Sequence, residues 1–175
     1  MALRVVVKNG NKKKTKDYIL EKKIILGIDP GRGGAMSIYD GYTNKYIAYN
    51  CPDTIKGMVN LINEWSNKAW KTVCYLERVH AFPTDGRSSA FKFGMNYGIW
   101  QGILESFEIR TVLITPQTWQ KHFAETHGKF TKNKQERKKQ LKVLANEKSG
   151  LKATLKTADA ILIAEYGKYV ENEIN

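Results

Sequence analysis

Three acidic residues, far apart in the chain, each stand at the edge of an apolar run. Asp29 closes Ile24-Ile25-Leu26-Gly27-Ile28, Glu77 closes Val73-Cys74-Tyr75-Leu76, and Asp159 opens Ala160-Ile161-Leu162-Ile163-Ala164. Runs of this kind build an interior, and carboxylates sit beside interior residues only when something pairs with them. If the three runs are neighbours in the fold, the three charges converge and repel one another. A divalent cation relieves that repulsion. A magnesium site, and with it phosphoryl-transfer chemistry, is therefore the leading expectation.

The chain has 175 residues, room for one domain with one substantial core. No apolar run approaches the roughly 20 residues that span a bilayer, and the first residues lack the apolar stretch of a signal peptide. Cys51 and Cys74 are too few and too scattered for a disulfide framework or a zinc knuckle. Cys74 lies in an apolar strand pattern and reads as a small core residue. These features predict an intracellular protein with no membrane partner.

The net charge of +12 is concentrated in two places. Residues 1–23 carry eight Lys or Arg against two acids, and residues 129–142 carry seven against one. The rest of the chain is neutral. Local blocks of positive charge suit a polyanion, and nucleic acid is the usual one.

Residues 1–23 read as a basic N-terminal extension. Val5-Val6-Val7 followed by Lys8-Asn9-Gly10-Asn11 is compatible with a strand and a hairpin turn, or with a mobile segment. The remainder, residues 24–175, reads as one domain. Strands are expected over 24–29, 35–39 and 45–50 in an antiparallel meander. A helix over about 53–69 follows, with Ile55, Met58, Val59, Ile62 and Trp65 at helical spacing. Then come a strand to Glu77, a loop over 78–87, a helix over about 88–107 and a strand over 110–114. Thr115-Pro116 starts a short helix reaching about Phe123. Thr131 is the expected cap of a basic helix to Asn146, and a last helix covers about 153–170. Gly94, Gly98 and Gly102 recur on one face of the 88–107 helix. They permit a close approach by another element, either the chain's own sheet or a second copy.

Taken singly the site motifs are weak. An Asp-Pro-Gly after a strand can be a simple turn, and Gly31-Arg32-Gly33-Gly34 alone is poor support for phosphate binding. The chain has no G-x-x-x-x-G-K-[ST], so a P-loop is not supported. Together they are more specific. Gly27-Ile-Asp-Pro-Gly31, Leu76-Glu-Arg-Val-His-Ala-Phe-Pro83, Gly86-Arg-Ser-Ser-Ala-Phe-Lys-Phe-Gly94 with Tyr97-Gly98, Thr115-Pro-Gln-Thr-Trp119 and Ala158-Asp-Ala-Ile-Leu-Ile-Ala-Glu-Tyr166 occur in that order. As a set they resemble the RuvC-type Holliday junction resolvases of the ribonuclease H-like superfamily, particularly the short phage and bacterial forms.

That resemblance implies an α/β fold: a mixed five-stranded sheet, three strands antiparallel and two parallel, flanked by helices. It implies an endonuclease that resolves four-way DNA junctions by paired nicks, leaving 5′-phosphate and 3′-hydroxyl ends. Asp29, Glu77 and Asp159 would hold two Mg2+ ions, with Mn2+ able to substitute. The family often has an Asp or His three residues before the last Asp, and here that position is Lys156. Lys156 is then a catalytic candidate through the phosphate or the transition state rather than as a ligand. For DNA binding the resemblance points to His80 and Phe82 after the Glu, to Arg87 and Lys92, and to Lys121, Lys132 and Lys134. Arg137 and Lys138 of the basic helix join them. The family is dimeric, which suits the near two-fold symmetry of a junction. The cytoplasm of a bacterium or a phage-infected host is the expected location, with an organelle left open.

Three rivals carry different expectations. A broader ribonuclease H-like nuclease would cut branched DNA or RNA–DNA hybrids. A non-catalytic junction-binding protein would have no need of clustered carboxylates. A sugar-kinase or actin-like ATPase requires two duplicated halves, for which the chain is too short. His122 and His127 read as ordinary polar residues, and the four Trp as packing groups.

Overall fold

The structure is a computed structural model that describes residues 3–9, 12–18, 23–31, 33–66, 71–78 and 86–173, the first two segments as backbone. A hairpin comes first, β1 (Leu3–Asn9) paired antiparallel with β2 (Lys12–Tyr18) as a separate two-stranded sheet. The main sheet holds β3 (Ile24–Asp29), β4 (Ala35–Asp40), β5 (Lys45–Asn50), β6 (Thr72–Glu77) and β7 (Arg110–Ile114), in the order β5-β4-β3-β6-β7. β3, β4 and β5 form the antiparallel meander, and β6 and β7 run parallel to β3. The expected mixed sheet, three strands antiparallel and two parallel, is present.

β3 is central because its run is apolar on both faces. Ile24, Leu26 and Ile28 point into one core with Met58, Ile62 and Trp65 of α1 (Ile55–Ser66) and Trp100, Ile103 and Leu104 of α2 (Arg87–Ser106). Ile25 points to the other face. That core is completed by Trp119 and Phe123 of α3 (Pro116–His127), Leu141 and Leu144 of α4 (Lys134–Ser149), and Ile161 and Leu162 of α5 (Ala158–Glu173). The alternation of a strand thus separates two helical layers.

Gly27 falls on the α5 side. A Cβ there would lie 2.4 Å from both the Ala160 carbonyl oxygen and the Ala164 nitrogen. α5 therefore packs backbone against backbone on β3, with small residues on both sides. At its far end, a Cβ on Gly167 would lie 2.5 Å from the Tyr75 ring. Beyond it Glu171 is buried and accepts from Tyr75 Oη at 2.9 Å, from Lys23 Nζ at 2.9 Å and from Arg110. Burial pushes the Glu171 carboxyl up, but these hydrogen bonds outweigh it and hold the carboxyl below its usual value.

Several boundaries differ from expectation, each for a local reason. α4 is capped by Asn133, whose side chain accepts from the Gln135 and Glu136 N–H groups, while Thr131 receives the Asn133 N–H one step earlier. α3 runs one turn past Phe123, to His127. α5 starts at Ala158 rather than near 153: Thr154 and Thr157 each accept the other's backbone N–H, and the Ala158 N–H donates to the Thr154 carbonyl, so the helix is capped at 154. Residues 67–70, where the sequence extends the first helix, lie outside the described residues.

The glycine stripe of α2 is a clearer correction. Among the described residues, a Cβ at Gly94, Gly98 or Gly102 would meet nothing within 4 Å. The stripe faces outward, so it serves no contact with the chain's own sheet. The helix buries Trp100, Ile103 and Leu104 on its other side instead. Among the described residues no helix is long and apolar enough to cross a membrane.

The two glycine environments predict opposite mutational outcomes. Gly27→Ala should destabilise the fold by ~3 kcal/mol, because backbone atoms cannot yield cheaply. In the isolated chain Gly98→Ala should stabilise by ~0.5–1 kcal/mol through helix propensity. Urea unfolding of both variants checks the pair, and equal effects would contradict the α5–β3 contact.

Candidate active site

The three carboxylates come together at one end of the sheet. β3 and β6 are adjacent and parallel, so their last residues, Asp29 and Glu77, lie side by side. The close docking of α5 on β3 brings Asp159, in the first turn of that helix, to the same end. Each is partly shielded from solvent.

Their electrostatics record the crowding. Burial and then the neighbouring Asp29 charge push the Glu77 carboxyl up to about 8, with Asp159 adding to the rise. Burial and Asp29 push Asp159 up to about 6. Asp29 is itself raised by burial, against the hydrogen bond from Gly31. The cation that acts on all three is Lys138 of α4, and Arg137 adds to it at Asp159.

Two of the three acids have a fixed partner. Gly31 N–H donates to Asp29 Oδ1 at 3.0 Å. Trp119 Nε1 donates to Glu77 Oε1 at 2.9 Å. The Asn96 amide of α2 donates to the Pro30 carbonyl, tying down the loop that carries Asp29. Asp159 sits at a helix N-terminus, where the backbone dipole favours a negative charge. Among the described residues, no group of three His, Cys, Asp or Glu side chains is gathered with metal-holding geometry. The acids are near enough to repel, yet not drawn onto one point.

The sequence-predicted cations divide into groups. Lys138 acts electrostatically on all three carboxylates and Arg137 on Asp159. Lys132 and Lys134 are exposed at the start of the basic helix, and Lys121 is exposed on α3 near Glu125 at 3.9 Å. Arg87 and Lys92 are exposed in the first turns of α2. Lys156 is exposed in the turn that leads into α5, three residues before Asp159. His80 and Phe82 lie outside the described residues, as does Arg32.

Trp119 and Asn96 were not singled out by sequence reasoning. The signal for Trp119 lay inside Thr115-Pro-Gln-Thr-Trp119, read there as a helix start and as one of the motifs of the resemblance, with the tryptophan itself taken as a packing group. His122 is stacked on Tyr169 with ring centroids 4.3 Å apart, an ordinary packing role.

A five-stranded mixed sheet with acids at the ends of its first and fourth strands, and a third on the closing helix, defines the ribonuclease H-like architecture. No protein-family model matches the chain, and no curated protein matches it. Solved structures do. T. thermophilus RuvC in complex with Holliday junction substrate is similar at 14% identity and a TM-score of 0.58, over 86% of this chain and 96% of that one. The Thermus thermophilus RuvC structure is similar at 17% identity and a TM-score of 0.54, with the same coverage. The chain therefore has the RuvC form of the ribonuclease H-like fold.

The raised carboxyls give a pH prediction for the cation-free protein. A Glu77 that holds its proton up to about pH 8 when folded, against an ordinary value of 4.5, binds more protons folded than unfolded in that window. Its stabilising contribution is complete below pH 4.5 and is lost as pH rises toward 8. Glu77→Gln keeps an acceptor for Trp119 and removes the charge. In EDTA its Tm should equal the parent's near pH 5 and exceed it at pH 8; a constant difference would contradict the crowding.

Proposed function

We propose that this chain is a divalent-cation-dependent endonuclease that resolves four-way DNA junctions by paired, symmetric nicks. The observation that carries the reading is the convergence of three carboxylates at the end of a RuvC-type sheet, faced by Lys138 and Arg137. Structural carboxylates are normally matched by donors, as Glu171 is at the opposite end of the same sheet. These three have one donor each on Asp29 and Glu77 among the described residues, and a divalent cation would supply the remaining positive charge.

The donor set fits Mg2+. All three side chains offer hard oxygen ligands, and their mutual repulsion falls when a cation is bound. Asp29, Glu77 and Asp159 would hold two ions, and Mn2+ would substitute. When bound, the ions supply Lewis acidity for water attack on a phosphodiester and for departure of the 3′ oxygen, leaving 5′-phosphate and 3′-hydroxyl ends. Lys138 and Arg137 would draw the scissile phosphate toward the acids. Lys121, Lys132, Lys134, Arg87 and Lys92 would hold the arms through phosphates, which fixes position without reading sequence. Lys156 would act as a catalytic group on the phosphate or the transition state, and His80 and Phe82 would enter the junction centre. The paired strands β1 and β2 add a further basic segment. The reading places the protein in the cytoplasm of a bacterium or a phage-infected host.

The test is cleavage of labelled four-way junction, Y-fork and RNA–DNA hybrid, with and without Mg2+. Paired nicks in the junction are expected. Asp29→Asn, Glu77→Gln or Asp159→Asn should each lower the rate by roughly a thousandfold or more, since the three act as a unit. Equal cutting of the hybrid would favour a general ribonuclease H-like nuclease. Binding without cutting would favour a structural junction binder.

Two opposed cuts call for two sites, and a two-fold dimer supplies them. The outward face of α2 is the proposed contact: Phe91 is 72% exposed and Met95 53%, beside three glycines that leave the backbone approachable. Sedimentation should give twice the 20.0 kDa chain mass. Gly98→Arg should give the monomer, and an unchanged dimer would move the interface elsewhere.

A further inference from the structure

We infer that Trp119 is a positioning residue: its indole N–H ties down Glu77 Oε1 and leaves Oε2 as the oxygen free for a cation. The inference rests on the proposed metal site and goes one step further, to the residue that sets its ligand geometry.

The placement follows from strand register. Glu77 lies opposite Ile114 in the parallel β6–β7 pair, and the Arg78 N–H donates to the Ile114 carbonyl just beyond. The chain then turns at once into α3, with Thr115 as N-cap and Pro116 in the first turn. Trp119, one turn further, comes back beside Glu77 at 2.9 Å. Register and cap together thus fix the indole against the acid.

The apolar surroundings do not themselves require a tryptophan. Trp119 is fully buried, packed edge-on against Phe123 with ring centroids 6.5 Å apart. A phenylalanine would supply most of that contact. What the indole adds is one donor, and a buried donor must find an acceptor. Here the acceptor is a carboxylate among like charges, which would otherwise swing away from its neighbours.

Asp29 is treated the same way. Its Oδ1 is held by the Gly31 N–H at 3.0 Å. Each strand-end acid therefore has one oxygen tied by a donor of this chain and one left over. Donors that hold metal ligands in this manner raise affinity by reducing the reorganisation that binding demands.

The test uses Mn2+ alone, followed by electron paramagnetic resonance, on the full chain without DNA. The parent protein, Asp29→Asn, Trp119→Phe and the packing control Phe123→Leu are compared, with Tm measured for each. The expected result is Mn2+ binding by the parent, loss of it in Asp29→Asn, a roughly tenfold to hundredfold weaker Kd in Trp119→Phe, and a parental Kd in Phe123→Leu. If the parent binds and Asp29→Asn does not, but Trp119→Phe keeps the parental Kd, the positioning role is overturned while the metal site stands. If the parent binds no Mn2+, both fall together.

A second measurement needs no folded Trp119 variant. In the parent protein the Trp119 indole N–H resonance, identified by its displacement in Glu77→Ala, should resist hydrogen exchange and shift as Mg2+ is added. An indole signal that exchanges freely, or that ignores Mg2+ while the backbone signals of Asp29 and Asp159 move, would overturn the inference.

Discussion

The close approach of α5 to β3 is the contact on which the rest of the structure depends. Gly27 on the strand and Ala160 and Ala164 on the helix remove the side-chain layer between two backbones. That fixes how far α5 stands from the sheet. The buried cluster of Glu171 with Tyr75, Lys23 and Arg110 ties the far end of the same helix to the starts of β3 and β7. With its distance set by glycine and its far end tied by ion pairs, α5 has little freedom left. Asp159, in its first turn, is therefore delivered to the ends of β3 and β6 by packing formed elsewhere.

The two ends of the sheet handle buried carboxylates in opposite ways. At one end a single Glu171 receives hydrogen bonds from three side chains, and its carboxyl is held low. At the other, three acids share the Gly31 and Trp119 N–H groups and the charges of Lys138 and Arg137. Burial, and then repulsion from Asp29, pushes Glu77 and Asp159 up in spite of them. A fold that supplies counter-charges so fully at one end and so sparsely at the other leaves room for a positive ligand. The proposed nuclease reading grows from that asymmetry.

Much of this was legible in the sequence, and the limits of legibility are physical. The strands could be read because β3, β4 and β6 are apolar on both faces, and a short run that apolar has few alternatives. The acids stood out for the same reason, as charges against an apolar background. Caps were less legible: Thr131 and Asn133 are both competent, and only the route of the chain favours Asn133. The start of α5 turned on two threonine hydroxyls, Thr154 and Thr157, each accepting the other's backbone N–H. The α2 glycines show the limit of pattern, since spacing reveals a face but not which way it points. Trp119 was hidden because a lone indole on a helix reads as packing until its N–H is seen to meet Glu77.

The central claim is that α5 docking gathers three acids into one cation site. Crystals soaked in Mn2+ and measured near the manganese edge test it directly. The account predicts anomalous peaks in contact with Asp29, Glu77 and Asp159 together, with Trp119 still bonded to Glu77. Peaks confined to other surfaces, with the three carboxylates apart and unliganded, would contradict it.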